Sequence, residues 1–321
     1  MHAGALRREL AERNRDYATG RAHVQSYGED PVVVYEPEEA GHGNFYGPSY
    51  EAIMARPAWA KRFNKIHAQG KALPKAESGR RWRELDSCMS SDALLMNFFC
   101  APGVHHAAGV RRMLGVESDA LPEFGWKAKV PLKSGLFDRT EVDMRWGDLL
   151  VEAKLTEADF QTRAAAVVEA YRDFDAVFER ERLPQVEFVL ARRRQAGEFP
   201  EDFSQEHDET DGLDMDQVQA IAAAHQEGIA QRALEAAPRE RRYLGYQLIR
   251  NVPAAYAHGC RFCVVHDARR PDLREAWFDV MAAVRDAEMR MRCAVLTWQE
   301  LAAVAPEGLR RFLGEKYGIT P

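Results

Sequence analysis

The sequence predicts an α/β protein, a mixed sheet with helices on both faces, in the order helix, three strands, helix, strand. Three observations carry this. Thr140 to Phe160, TEVDMRWGDLLVEAKLTEADF, reads as two short strands joined by a turn at Trp146-Gly147-Asp148. FGWKAKVPL, Phe124 to Leu132, supplies a strand just before them, which completes a three-strand meander. RFCVVH, Arg261 to His266, is a short apolar run that follows a helical stretch, as a crossover helix and a further strand would.

The remaining elements follow from spacing and punctuation. Residues 1–23 form a polar, helical arm. Residues 24–56 are dense in Gly, Pro and Tyr and read as loop, with one strand at Val32 to Tyr35. Pro57 to Gly70 has helical spacing, with Trp59, Phe63 and Ile66 at i, i+4 and i+7, and residues 70–81 are a basic connector. Arg83 to Phe99 is expected as the first core helix, which Ser90-Ser91-Asp92 caps or restarts and Pro102-Gly103 ends. After the hairpin, Thr156-Glu157-Ala158-Asp159 has the composition of a helix start, with Thr156 as N-cap. Asp159 to Arg182 is expected as one long helix, broken by Pro184. Gln185 to Ala191 fits a strand or a helix start.

Residues 195–213 are acidic and read as an exposed loop, and Met215 to Ala236 as an Ala-rich helix. Arg241 to His258 is expected as a helix stopped by Gly259, with Pro253 as a kink or an early end. Asp272 to Met289 is amphipathic, Cys293 to Trp298 is a last strand, and Gln299 to Gly314 a closing helix. The chain then divides into an arm and loop-rich extension at 1–81 and a domain at 82–321, with a helical insertion at about 185–240.

Composition excludes several classes. At 321 residues, 46% hydrophobic and 29% charged, the chain has the material for an ordinary globular core. No apolar run approaches the roughly 20 residues that span a bilayer, and the charged N-terminus lacks the apolar stretch of a secretory signal. Five cysteines, an odd number in a long chain, do not suggest a disulfide framework, and a cytoplasmic setting is expected. A net charge of −6 argues against a protein that coats nucleic acid through its overall charge. Local basic walls are available in Lys61-Arg62, Lys65, Arg80 to Arg83, Arg192 to Arg194 and Arg239 to Arg242, although each run taken alone reads as a solvated face.

The chemistry concentrates in the hairpin. Strand side chains alternate faces, so Glu141, Asp143 and Arg145 share one face and Val142 and Met144 the other. On the second strand Leu150, Glu152 and Lys154 share a face, opposite Val151, Ala153 and Leu155. Pairing brings Asp143 close to Glu152, with Lys154 one pleat further on. Two carboxylates and an ammonium at one spot suit a hard divalent cation and a water; the plainer alternative is an exposed strand pair with a salt bridge. Cys260-Arg-Phe-Cys263, flanked by His258 and His266, is read as buried thiols, because a strand would send these side chains to opposite faces.

Asp143 followed by Glu152-Ala153-Lys154 on the next strand resembles the D…(D/E)xK signature of the PD-(D/E)XK nucleases, the restriction-endonuclease-like fold. The text from Trp82 to Asp267, including YQLIRNVPAAYAHGCRFCVVHD, is similar to a bacterial group of restriction endonucleases. Val142 stands where the superfamily's usual Pro precedes the first Asp. The resemblance implies an α-β-β-β-α-β core and hydrolysis of DNA phosphodiester bonds, with Mg²⁺ or Mn²⁺ held by Asp143, Glu152 and the backbone carbonyl of Ala153. Lys154 would orient the attacking water or neutralise the transition state. Gln247, with Asn251 one turn later, lines the site or is a surface amide. Glu84 stands where some branches carry a further acid, and Glu141 is an accessory or peripheral carboxylate. The implied partner is DNA, with a homodimer as one assembly; a catalytically inactive nucleic-acid-binding member of the same fold is the alternative.

Overall fold

The computed structural model describes residues 2–28, 30–67, 73–75, 79–189 and 239–321. The strands that frame the site are β1 (Glu123–Lys127), β2 (Glu141–Trp146), β3 (Leu149–Ala153), β4 (Thr162–Ala164), β5 (Gln185–Val189), β6 (Arg239–Leu244), β7 (Arg261–His266) and β8 (Cys293–Thr297). Five of them form one mixed sheet in the order β8-β7-β3-β2-β1. β1, β2 and β3 are antiparallel neighbours, whereas β7 runs parallel to both β3 and β8. β3 is therefore the central strand. The helices used below are α1 (His2–Tyr17), α2 (Pro57–Phe63), α3 (Ser91–Phe99), α4 (Tyr246–Ala257), α5 (Pro271–Ala282), α6 (Trp298–Ala303) and α7 (Glu307–Tyr317).

Period-two alternation assigns the sheet's two faces. Val151 and Ala153 of β3 and Cys263 and Val265 of β7 join one core, with Leu95, Phe98 and Phe99 of α3 and Trp298 of α6. Leu150, Phe262 and Val264 join the other, against Leu248, Ile249 and Val252 of α4 and Trp277 of α5. Helices thus cover both faces of a mixed sheet, as the sequence predicts. Among the described residues no helix is long and apolar enough to cross a membrane.

Four expectations are corrected. Arg83 to Phe99 is helical only from Ser91, with Ser90 as N-cap; Glu84–Asp86 is a separate turn. Asp86 there accepts from Arg83 and His42, and such local side-chain bonds compete with helix. Thr156 starts no helix. Its Oγ1 reaches the Met89 carbonyl, while Glu157 accepts the Leu155 N–H and the Ser91 hydroxyl.

The long helix expected from Asp159 to Arg182 is replaced by β4, two single-turn helices (Ala165–Val168 and Phe174–Val177) and a tight turn. Phe160, Val168, Tyr171, Phe174 and Phe178 are all buried in one core, and burying them outweighs the helix preference of the alanines between them. Arg241 to His258 begins as strand. β6 pairs with both β4 and β5, and Gly245, in the left-handed region at φ +72°, turns the chain into α4. Pro253 sits inside α4 without ending it. The expected loop at 195–213, the helix at 215–236 and the arginines at 192–194 lie outside the described residues.

The N-terminal segment shares the core of the C-terminal helices. Leu6 and Leu10 of α1, with Val33 and Tyr35, pack in one cluster with Phe312, Leu313 and Tyr317 of α7. At this joint Lys316 is fully buried. Its Nζ donates to Asn14 Oδ1 at 2.9 Å, and the rings of Tyr317, Tyr35 and Tyr17 lie with centroids 4.2, 5.2 and 5.9 Å away. Burial pushes its pKa down to about 7, with Cys88 acting in the opposite direction.

The unfolded chain holds this proton more tightly than the fold, so stability should rise with pH between about 7 and the unfolded value of 10.5. Lys316→Met is therefore expected to raise Tm at pH 7, and the gap to wild type should narrow toward pH 10. Thermal unfolding across that range checks this, and a gap that widens with pH would contradict it.

Candidate active site at the hairpin opening

The β2–β3 ladder pairs Trp146 with Leu149, Arg145 with Leu150 and Met144 with Val151, and stops there. The next positions in register are Asp143 opposite Glu152. Beyond them, the Ala153 N–H turns to Asp143 Oδ2 at 2.8 Å rather than continuing the ladder. The two strands part at Asp143, and face alternation slips with them: Met144 joins the α3-side core, whereas Val142 joins the α4-side core. Gly125, the β1 residue facing Asp143 in register, has φ +62°, so the neighbouring strand bends at the same level. The opening follows from a side chain taking a main-chain hydrogen bond.

Glu152 lies in this opening with 1% of its surface exposed. Lys154 Nζ donates to its Oε1 at 2.9 Å, and Asn251 Nδ2 of α4 donates to its Oε2 at 2.8 Å. Arg250 NH2 stands 3.9 Å from the same Oε2 and donates to the Glu141 carbonyl at 2.9 Å, and Arg250 Nε donates to Asn251 Oδ1 at 3.0 Å. Lys154 is fixed at its own backbone: its N–H donates to the Val265 carbonyl, and its carbonyl accepts the Trp298 indole N–H at 3.0 Å.

Charge governs the protonation states. Burial disfavours the Lys154 ammonium, but Glu152, Glu157 and Asp143 outweigh it and raise its pKa above the ordinary value. Lys154 is therefore a permanent cation here, a donor and not a base. Asp143 behaves in the opposite sense. Burial, then the charge of Glu152, then that of Asp92 hold its carboxyl well above the usual range. Without a cation the site favours the protonated form of Asp143.

The sequence-selected residues are distributed as follows. One hydrogen bond joins Asp143 to Ala153, and two others join Glu152 to Lys154 and Asn251; Glu152 and Ala153 are consecutive on β3. Gln247, one turn before Asn251, has its Oε1 buried without a hydrogen-bond partner among the described residues. Glu141 joins an ion-pair group with Arg62, Lys65 and Glu84, and Glu84 belongs to the 84–86 turn and not to the core helix. Sequence reasoning missed Arg250 and Trp298. Arg250 was findable, since it lies three residues after Gln247 on the same helix face; the Trp298 contact has no local signal.

Cys260 and Cys263 fall into opposite cores as the strand spacing requires, and all five cysteines are free. Among the described residues no three His, Cys, Asp or Glu side chains form a metal-binding group. A cation here would be held by two carboxylates and main-chain or water oxygens. The donors fit a hard divalent ion: they are oxygens, and a cation between them would relieve the repulsion from Glu152 that raises the Asp143 carboxyl.

A family model described as Restriction Endonuclease associating with ARP matches residues 10–318. The chain belongs to this family. The match runs from α1 to the end of α7, so it includes the segment before residue 82 as well as both strands of the hairpin. Membership in a restriction endonuclease family suggests a nuclease. No curated protein and no solved structure matches the chain.

The raised pKa of Asp143 has a thermodynamic sign. The fold holds the proton more tightly than the unfolded chain, so the contribution is favourable at low pH and lost as pH rises through the folded pKa. Asp143→Asn is expected to raise Tm of the metal-free protein at pH 7 and to leave it unchanged near pH 4. Differential scanning calorimetry at both values checks this; destabilisation at pH 7 would contradict it.

Proposed function

We propose that the protein is a Mg²⁺-dependent nuclease that hydrolyses phosphodiester bonds in DNA, an endonuclease of the restriction type. One observation carries the reading: the parting of β2 and β3 at Asp143 gathers Asp143, Glu152 and Lys154, with Asn251 and Arg250 behind them. The element order α3-β1-β2-β3-α4-β7 supports a restriction-endonuclease core. Asp143, Glu152 and the Ala153 carbonyl would hold Mg²⁺ or Mn²⁺. When bound, such an ion supplies Lewis acidity at the phosphate and lowers the pKa of a water.

The chain's own residues do the rest. Lys154, kept protonated by its carboxylate neighbours, orients the attacking water or donates to an oxygen that gains charge in the transition state. A compact ammonium suits this place because it does not compete for the ligands. Asn251 locks the rotation of Glu152, and Arg250 offsets its charge. Gln247 offers a buried acceptor oxygen to which no donor is supplied among the described residues.

One such site cuts one strand, and a homodimer would supply the second. The free thiols suit the cytoplasm. The family's name adds association with ARP, and that partner is proposed for this chain on the name alone.

Linear and supercoiled DNA, incubated with Mg²⁺, Mn²⁺ or EDTA, tests the reading. Supercoiled DNA should be opened with either ion and untouched in EDTA. Lys154→Ala should lower the rate by about 100-fold or more. Its DNA affinity should stay within a few-fold, since affinity is spread over many phosphates. Cleavage that survives in Lys154→Ala, Asp143→Ala and Glu152→Gln alike would place the activity elsewhere.

A further inference from the structure

Beside the opening stands a second acidic group: Glu84 of the 84–86 turn, Asp92 in the first turn of α3, and Glu141 of β2. It adjoins the first site: Glu141 is two residues before Asp143 on β2, and Gly125, in register with Asp143, lies against both Glu141 and the cation that holds it. Carboxylates flanking one metal site are what a two-metal phosphodiesterase uses to hold its second ion. Here they are already engaged.

The Arg62 guanidinium, 9% exposed, forks between them. NH1 donates to Glu141 Oε2 at 2.9 Å and lies 4.0 Å from Glu84 Oε2, while NH2 donates to Asp92 Oδ2. Lys65 Nζ adds contacts to Glu141 Oε2 at 3.0 Å and to Glu84 Oε2 at 3.3 Å.

The backbone makes room for this fork. A Cβ added to Gly125 would meet Arg62 NH1 at 3.1 Å and Glu141 Oε2 at 3.3 Å, and the residue's φ of +62° also disfavours any side chain. α2 is anchored so that Arg62 arrives there. Trp59 and Phe63 are buried, and the Trp59 indole N–H donates to the Pro122 carbonyl at 2.8 Å, next to the start of β1. A guanidinium is charged at every accessible pH and presents donors in a fixed plane, so this occupant is permanent.

We propose that Arg62 and Lys65 are the protein's own cations in the place of a second metal, and that the site takes a single divalent ion, between Asp143 and Glu152. They are positioning residues: they hold Glu84, Asp92 and Glu141 away from metal ligation and neutralise them beside an anionic substrate. The inference rests on the nuclease reading of Asp143 and Glu152, and it makes a segment before residue 82 part of the site.

Mn²⁺ binding to the full metal-free chain, counted by calorimetry and by the electron paramagnetic resonance of free Mn²⁺, tests it without relying on activity. Wild type should bind one ion, lost in Asp143→Asn and retained in Glu141→Gln and Glu84→Gln. Arg62→Met combined with Lys65→Met should bind two ions, with the second lost when Glu141→Gln is added, while Arg62→Lys should stay at one. Two ions in wild type, loss of the single ion in Glu141→Gln or Glu84→Gln, or a folded double variant that still binds one would overturn this proposal and leave the nuclease reading intact. No ion in wild type would overturn both. The wild-type, Glu141→Gln and Glu84→Gln counts decide the matter even where the double variant does not fold.

Discussion

Glu152 places a negative charge on the middle strand of a sheet covered by helices on both faces, and the surrounding structure is arranged around that charge. An isolated carboxylate in such a place is strongly disfavoured, so its oxygens have to be satisfied by donors held in position. Lys154 satisfies one from the same strand, and Asn251 satisfies the other from α4. Arg250 brings a further positive charge to the same oxygen. The crossover from β3 through α4 to the parallel neighbour β7 is what allows a helix residue about a hundred positions away to reach the hairpin.

Asp143 is treated differently. It has one main-chain donor, Ala153, and its partner across the opening is another carboxylate. The fold thus compensates one acid of the pair and leaves the other short of positive charge. Under the proposed function that asymmetry leaves room for a cation, since a fully neutralised pair would gain little from one. It also explains why the strand ladder gives way at this level: the hydrogen bond that the Ala153 N–H would give to β2 backbone goes to the Asp143 carboxylate.

Two of the joints between the segment before residue 82 and the rest of the chain rest on different kinds of force. At the far end, α1 buries leucines against α7, and Lys316 sits in a cage of tyrosine rings. Near the site, α2 carries Arg62 into a charged group bounded by β1, β2 and α3. The first joint is apolar and insensitive to what occupies the opening. The second is electrostatic, and its carboxylates belong to the elements that also position Asp143.

The sequence by itself determined what depends on neighbours along the chain. Period-two alternation in LLVEA put Leu150 on one face and Val151 and Ala153 on the other, and the structure places them so; in EVDMRW it put Val142 and Met144 together, and the parting of the strands sends them to opposite cores. Gly147 at the turn and the apolar run of β7 were equally local. Tertiary structure decided the remainder. Asp159 to Arg182 has helical composition, yet Phe160, Tyr171 and Phe174 are worth more against the sheet than the helix that would carry them. Arg241 to Leu244 became strand because β4 and β5 offered it hydrogen-bond partners that the sequence does not reveal. Arg62 read as one cation in a solvated basic run; only folding brings Glu84, Asp92 and Glu141 around it, because an ion pair between residues 62 and 141 leaves no spacing to read.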